Sequence, residues 1–360
     1  MSWDIAIVGA GIAGAALAAE VAPHARVLIL EAEEVAGYHA TGRSAAFWEE
    51  TYGGPGVQPL TAASRGAFDA GGFLQPLGSL HIGREDERGK IEGMLAQFAG
   101  TGVDLSLVDP RERIAGLRDD WNLAVWEPSC AYIDVAGLHA AALSRAKKAG
   151  AELVLDAALT GATRTGDTWR LETRAGVYEA KVLVDAAGAW ADQVATLAGV
   201  RPIGISPFRR TLVQLRVDPP VPDDAPHVAH IGGDFYFKPE AGGRLWLSPH
   251  DEIPSDPGDV QPEELDIAIA IDRLEHTVDW RIERVERSWA GLRSFAPDRL
   301  PVYGFDDEVP GFFWCAGQGG FGIQTAPAAS QVAASLLLGT APDAAVAGID
   351  RERYTPARFR

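Results

Sequence analysis

The distribution of apolar positions along this chain predicts two kinds of strand and a set of helices. Unbroken apolar runs at Asp4–Val8, Arg26–Leu30, Lys181–Asp185 and Phe312–Ala316 predict buried strands. Strict alternation over Arg210–Val217, Phe235–Lys238, Leu245–Ser248 and Arg281–Trp289 predicts half-buried strands of an antiparallel sheet. Helices are predicted over Ile12–Val21, Thr61–Gly71, Asp86–Gly100, Val135–Lys148, Pro262–Asp279 and Ile323–Leu338. Asp134 is placed to cap the fourth of these, and Pro262 sits early in the fifth. Short strands are expected at Ser79–Ile82, Leu123–Trp126 and Glu152–Leu155, and a hairpin at Thr163–Thr173 and Gly176–Ala180. Thr41–Ala46 reads as a glycine turn feeding a helix start, and the tail after Gly339 as loosely held.

Strand–helix units fall at the start, middle and end, with alternating strands between them. The pattern predicts an α/β, two-domain chain. A Rossmann-like nucleotide-binding domain is assembled from residues 1–46, 130–205 and 288–360, and an antiparallel-sheet substrate domain is inserted as 47–129 and 206–287.

The first unit carries the sharpest chemistry. Gly9-Ala10-Gly11-Ile12-Ala13-Gly14 joins the first strand to a small-residue helix, and the second strand ends in Glu31 followed by Ala32. In this context Gly9 permits a tight turn, Gly11 lets backbone approach a pyrophosphate, and Gly14 lets the helix lie against the strand. The helix N-terminus offers free N–H groups to phosphates. Glu31 can accept hydrogen bonds from ribose hydroxyls and disfavours a 2′-phosphate. The stretch specifies a dinucleotide and leaves FAD and NAD both open.

A formal charge of −18 argues against nucleic acid or an anionic membrane as partner. The two cysteines, Cys130 and Cys315, have no metal-ligand spacing and form no disulfide framework, which fits a reducing cytoplasm. No signal peptide is read at the start, and no apolar run is long enough to predict a membrane span.

Two further glycine-rich turns stand out. Val182–Trp190 runs from a strand into a small-residue turn. Phe313–Thr325 places four glycines in six residues, Gly317 to Gly322, directly before a long helix, whose positive end suits an anion or the N1–C2=O edge of a reduced flavin. With these residues in view the chain resembles the FAD-dependent amino-acid oxidoreductases of the D-amino-acid oxidase type, through VGAGIAGAALA, GYHATGRSAA, VLVDAAGAW, WAGLRSFAPD and GFFWCAGQGGFGIQTAP. It looks most like the D-arginine dehydrogenase type, through TGRSAAFWEETYG, LTAASR, QPEELDIA and WAGLRSF. The resemblance implies FAD. It places Gly9, Ala10, Gly11, Ile12 and Gly14 at the pyrophosphate, and Glu31 and Ala32 at the adenosine ribose. Thr41, Arg43, Ser44, Ala45 and Ala46 would line the flavin, and Ala158 and Leu159 would touch adenosine. Ala187, Gly188 and Trp190 would pack on the dinucleotide, while Gly291, Arg293, Gly319, Gly320, Phe321, Gly322, Ile323 and Gln324 would close over the isoalloxazine. No cysteine lies in Leu292–Pro297, where similar sarcosine oxidases attach flavin, so FAD is expected to be non-covalent.

The same resemblance gives the candidate catalytic set: Arg293 and Arg210 to fork an amino-acid carboxylate, with Tyr236 and Tyr52 adding phenolic hydrogen bonds. Phe47, Ser79, Gly320 and Gln324 would line the substrate pocket. Arginine-oxidising relatives carry a carboxylate near Ser79 and a histidine at Phe47, so the expected substrate is a neutral or apolar D-amino acid, converted to a 2-oxo acid and ammonia by hydride transfer to flavin N5. Glycine or sarcosine-type amine oxidation and 2-hydroxy-acid oxidation are the alternatives on the same fold. The electron acceptor is left open. Asp298 is expected either to brace the cofactor or to cap a turn, and the histidines are given no catalytic role.

Overall fold

In the computed structural model, which describes residues 2–360, the strand Ser2–Val8 is central to an eight-stranded sheet. It pairs in parallel with Gly176–Asp185 on one side and Val27–Leu30 on the other. Glu152–Val154 and Phe312–Ala316 extend the parallel core. Alternate side chains enter two different cores. Ile5, Ile7, Val27 and Ile29 pack with Leu17, Ala18, Val332 and Ala333 of the helices Ile12–Val21 and Gly322–Leu338. Ala6, Val8, Leu28 and Leu30 pack with Val194 and Ala195 on the opposite face. Burial on both faces is why these strands read as unbroken apolar runs.

A second sheet of ten strands holds Ser79–Gly83, Leu123–Glu127, Ser206–Asp218, His227–His230, Tyr236–Glu240, Arg244–Ser248 and Arg281–Phe295. One face is apolar: Leu80, Ile82, Val213, Leu215, Val228, Phe237, Leu245 and Leu247 bury against Ala270 and Leu274 of the helix Glu264–Glu275. The alternating positions face the other way, toward the first sheet's cofactor loops, and carry the polar chemistry described below. Arg281–Phe295 pairs with Ser206–Asp218 along its whole length, so it passes position 288 unbroken and keeps Gly291 and Arg293 in the antiparallel sheet. A small third sheet joins Phe47–Trp48, Ala131–Ile133 and Leu74–Pro76.

Several local expectations need correction. Thr41–Ala46 starts no helix; a turn ends at Arg43 and extended chain leads into Phe47–Trp48, the helix beginning at Gln58. The expected hairpin forms between Thr168–Thr173 and Gly176–Asp185, but residues 163–165 belong to a preceding strand, Leu159–Thr165, because Gly166 turns at φ +63°. The tail is tied down rather than loose: Val346 and Tyr354 are buried, the Tyr354 hydroxyl donates to Gly56 O at 2.8 Å, and Arg360 pairs with Asp306. Among the described residues no helix is long and apolar enough to cross a membrane.

Candidate active site

A cavity of about 480 Å³ runs from the first βα turn to the second sheet. Its phosphate end is shaped by the absence of side chains. Gly9 has φ +103°, and a Cβ there would stand 2.4 Å from Ala186 O. A Cβ on Gly14 would lie 2.0 Å from Gly9 O, so only glycine lets helix and turn meet. Gly11 caps the helix Ile12–Val21 without a side-chain hydrogen bond, and the hydroxyl of Thr41 accepts from Ile12 N at 3.0 Å. Glu31 is buried at the tip of its strand; its two oxygens accept from Ala10 N at 2.8 Å and Glu33 N at 3.1 Å, leaving lone pairs for a ligand hydroxyl. At the far end the helix Gly322–Leu338 also begins with no side-chain cap, presenting its first N–H groups to the cavity that Gly322 and Ile323 line.

The second sheet supplies the other wall. Register places Arg210 opposite Gly291, Arg293 opposite Phe208, and Leu212 opposite Trp289. Arg210 is buried; its Nε donates to Asp251 O at 2.6 Å, while its Nη1 has no hydrogen-bond partner among the described residues. Burial, and then the neighbouring Arg293, draw the Arg210 pKa below its usual range. Arg293 donates from Nη1 to the Tyr52 hydroxyl. Burial opposes the Arg293 charge, yet the Tyr52 and Tyr236 phenols and the Glu252 and Asp251 carboxylates hold its pKa above the usual range. A Cβ on Gly320 would lie 2.2 Å from the Tyr52 hydroxyl and 2.9 Å from Arg293 Nη1, so the glycine loop makes room for this pair.

Two positively charged forks, a donor-rich loop at a helix start and an anion-binding turn therefore share one cavity. Over residues 4–336 the chain matches the family model described as FAD dependent oxidoreductase, known as DAO. The chain belongs to this family. It is 28% identical to glycine oxidase of Geobacillus kaustophilus, over 93% of both chains. It is 32% identical to the tRNA 5-methylaminomethyl-2-thiouridine biosynthesis bifunctional protein of Shewanella amazonensis, over 57% of this chain and only 32% of that protein's length. Its fold is similar to that of L-proline dehydrogenase from P. horikoshii, at a TM-score of 0.84 and 23% identity over 99% of this chain and 97% of the other.

As a member of this family the protein uses FAD, and the cavity suits it: neither helix start is capped by its own N-cap side chain, and Gly9, Gly14 and Gly320 stand where a Cβ would clash. Of the expected cofactor-binding residues, all but Ala10, Gly14 and Phe321 line the cavity. Those three act from behind it: Ala10 N holds Glu31, Gly14 packs on Gly9, and Phe321 packs on Tyr52 at 5.3 Å between ring centroids. Phe47, Tyr52, Arg210, Gly320 and Gln324 also line it. The Gln324 amide nitrogen lies within hydrogen-bond reach of Glu49 O, Tyr52 O and the Thr61 hydroxyl, fixing the loop that carries Tyr52, while its Oε1 has no partner among the described residues. Asp298 lies outside the cavity, where it accepts from Leu300 N and pairs with Arg358.

Tyr236 lines a second cavity of about 390 Å³ that meets the first at Phe47 and Tyr52. Ser79 reaches neither cavity. It is fully buried, with its hydroxyl 3.0 Å from His227 Nδ1. Strand pairing aligns Ser79 with His227 and Glu127, and so builds a buried cluster that the sequence reading missed. Glu49 Oε1 lies 3.4 Å from His81 Nε2 and 3.7 Å from His227 Nδ1, and Glu127 Oε2 lies 3.7 Å from His81 Nε2. Burial opposes the charge on His81, but Glu49 and Glu127 push its pKa up to about 10. Burial likewise opposes the charge on Glu49, but His81 and His227 hold its pKa well below the usual carboxylate range. The available signal was polar residues at alternate positions of apolar strands, as in Ser79-Leu80-His81.

Proposed function

We propose that the protein oxidises D-amino acids with uncharged side chains to imino acids, which hydrolyse to 2-oxo acids and ammonia. The observation that carries the reading is the unpartnered Nη1 of buried Arg210, set beside Arg293 at the end of the cofactor cavity. Two guanidiniums at close quarters repel each other and favour an anion between them, and their planar forks match a carboxylate. Bound FAD supplies the hydride acceptor. Arg210 and Arg293 hold the carboxylate and thereby fix the α-carbon, Tyr52 holds the Arg293 fork in place, and Gln324 holds the Tyr52 loop. The amine needs only to be neutral when the hydride leaves, so no protein base is obligatory.

The side chain then extends past Phe47 into the second cavity, among Met94, Phe98, Ile231 and Tyr236. A cationic side chain does not suit this wall, which also carries Lys90 and a His81 whose pKa is pushed up to about 10. Ser79 is withdrawn from it, and the charge on Glu49 is already answered by His81 and His227. The D configuration rests on the resemblance of the TGRSAAFWEETYG and WAGLRSF motifs. Glycine oxidation is the second reading, favoured by the identity to glycine oxidase across nearly the whole chain; such a substrate would leave the second cavity unused. Both cysteines are buried and neither lines the cofactor cavity, which supports non-covalent FAD. Anaerobic titration of the yellow holoenzyme tests the reading. Bleaching by D-Leu, D-Met or D-Phe, and not by the L enantiomers, glycine or 2-hydroxy acids, is expected; a strong preference for D-Arg, D-Lys or glycine would sink it.

A further inference from the structure

Tyr52 stands on a segment that its own sequence would leave loose. Gly53 and Gly54 follow it at φ +93° and +74°, Pro55 and Gly56 come next, and no helix or strand spans the residues between Trp48 and Gln58. Side chains from two other elements pin it instead. The Gln324 amide nitrogen, on the helix Gly322–Leu338, reaches Glu49 O and Tyr52 O. Glu127, the last residue of the strand Leu123–Glu127, takes the two residues in between. Its Oε1 accepts from Glu50 N at 2.7 Å, and its Oε2 accepts from the Thr51 hydroxyl at 2.6 Å. Oε1 also accepts from the Ser129 hydroxyl at 3.2 Å, and His81 Nε2 lies 3.7 Å from Oε2. Glu127 is fully buried and lines neither the cofactor cavity nor the second cavity.

A backbone N–H, two hydroxyls and the His81 imidazole all present hydrogens to this one group, so only an acceptor-only side chain satisfies them together. A carboxylate this deep is costly to keep, and no cavity gives it a ligand. Its bonds converge on Glu50 and Thr51, and so on the place of Tyr52, whose hydroxyl meets Arg293 Nη1. We propose, resting on the reading of Arg210 and Arg293 as a carboxylate clamp, that Glu127 is a positioning residue for substrate binding. It acts through Thr51 and Tyr52 on the Arg293 fork, from the second sheet, as Gln324 does from the cofactor domain. Glu127→Gln sets an amide NH2 where a donor now points, which leaves an N–H or O–H of the segment without its acceptor. Thr51→Val removes one of the two ties and leaves Glu127 and its pairing with His81 in place.

The probe is 4-methylpentanoate, which has the carboxylate and side chain of leucine but no amine to oxidise. It is titrated into the holoenzyme, with binding read from the flavin spectrum. Glu127→Gln and Thr51→Val should each weaken it about tenfold, the loss of a charge-assisted hydrogen bond. Thr51→Ser keeps the hydroxyl and should bind as the wild type does, and flavin content should be the same in all. The kcat/KM for D-Leu should fall about ten- to a hundredfold in the same two variants, the cost of a displaced positioning group. In a Tyr52→Phe background the hydroxyl that meets Arg293 is already gone, so adding either change should cost little more. Thr51→Val carries the test where Glu127→Gln folds poorly. Fully additive losses in the Tyr52→Phe background, or wild-type carboxylate affinity in both variants, would overturn the proposal. A wild type that binds no carboxylate would overturn the clamp reading itself, and the role of Glu127 with it.

Discussion

Arg210 and Arg293 reach one cavity from adjacent antiparallel strands, Arg210 pairing with Gly291 and Arg293 standing two residues further along the partner strand. Asp251 and Glu252 answer part of the charge of the pair, and the unpartnered Arg210 Nη1 leaves a place for a further anion. If a substrate carboxylate is that anion, Arg293→Ala should lower kcat/KM by roughly thirty- to several-thousand-fold, the equivalent of about 2–5 kcal/mol. Arg293→Lys should recover only part of the loss, since a point charge cannot reproduce the fork. Flavin content should hold and any loss of melting temperature should be small, because Arg210 remains paired with Asp251 and Glu252. Steady-state kinetics, flavin absorbance and a thermal melt on the same samples check this; normal kcat/KM for D-amino acids would remove Arg293 from the site.

Gly320 gives a sharper steric test. Its missing Cβ would fall 2.2 Å from the Tyr52 hydroxyl and 2.9 Å from Arg293 Nη1. Gly320→Ala must therefore displace Tyr52 and the fork it braces. A displacement near one ångström at a positioning group costs on the order of a hundredfold in rate. The loss should appear in kcat/KM well before FAD affinity changes. Wild-type kinetics in the alanine variant would show that the Tyr52–Arg293 contact has no part in the reaction.

What the sequence could and could not disclose follows from where each contact arises. Gly9, Gly11, Gly14 and Glu31 lie within one strand–helix–strand unit, so their spacing alone carries the geometry. Arg210 and Arg293 are brought to one site by register between Ser206–Asp218 and Arg281–Phe295, and only resemblance pointed to them. Ser79 was placed in the pocket because a linear position does not reveal that its hydroxyl turns to His227. Glu49, His81, Glu127 and His227 come from four separate segments; nothing local predicts that three strands bring three of them beside Glu49. The tail was misread for a related reason: Tyr354 is anchored by Gly56, nearly the whole chain away.

Glu31 ties the cofactor site to the first turn. Its carboxylate accepts from Ala10 N while facing the cavity. Glu31→Ala removes a ribose acceptor and also leaves a buried N–H unpaired, a loss of about 1–3 kcal/mol. The FAD dissociation constant should rise roughly five- to a hundred-and-fifty-fold by the same measure. Glu31→Gln keeps an acceptor oxygen and should fall between the two. Fluorescence titration of the apoprotein with FAD measures all three; equal affinities would separate Glu31 from cofactor binding.

The His81 cluster predicts a pH signature in stability. His81 stays protonated in the folded protein up to about pH 10, against an ordinary value of 6.5. Its contribution is therefore whole below pH 6.5 and drains away as pH rises toward about 10. The Glu49 pKa is shifted in the opposite sense, so its contribution is present above the usual carboxylate range and is lost as pH falls below it. Unfolding free energy should thus decline from neutral pH to pH 10 with a slope of up to about 1.4 kcal/mol per pH unit for a full proton, read as a falling melting temperature. Removing His81 alone would strand Glu49 without its counter-charge, and Glu49 would then titrate in its place. The paired change Glu49→Gln with His81→Gln removes both charges together. Glu127 keeps its hydrogen bonds from Glu50 N, Thr51 and Ser129. The double variant should show a flatter alkaline limb and a flatter acid limb in thermal melts across pH 2 to 10; limbs that keep the wild-type slopes would mean that the proton sits elsewhere.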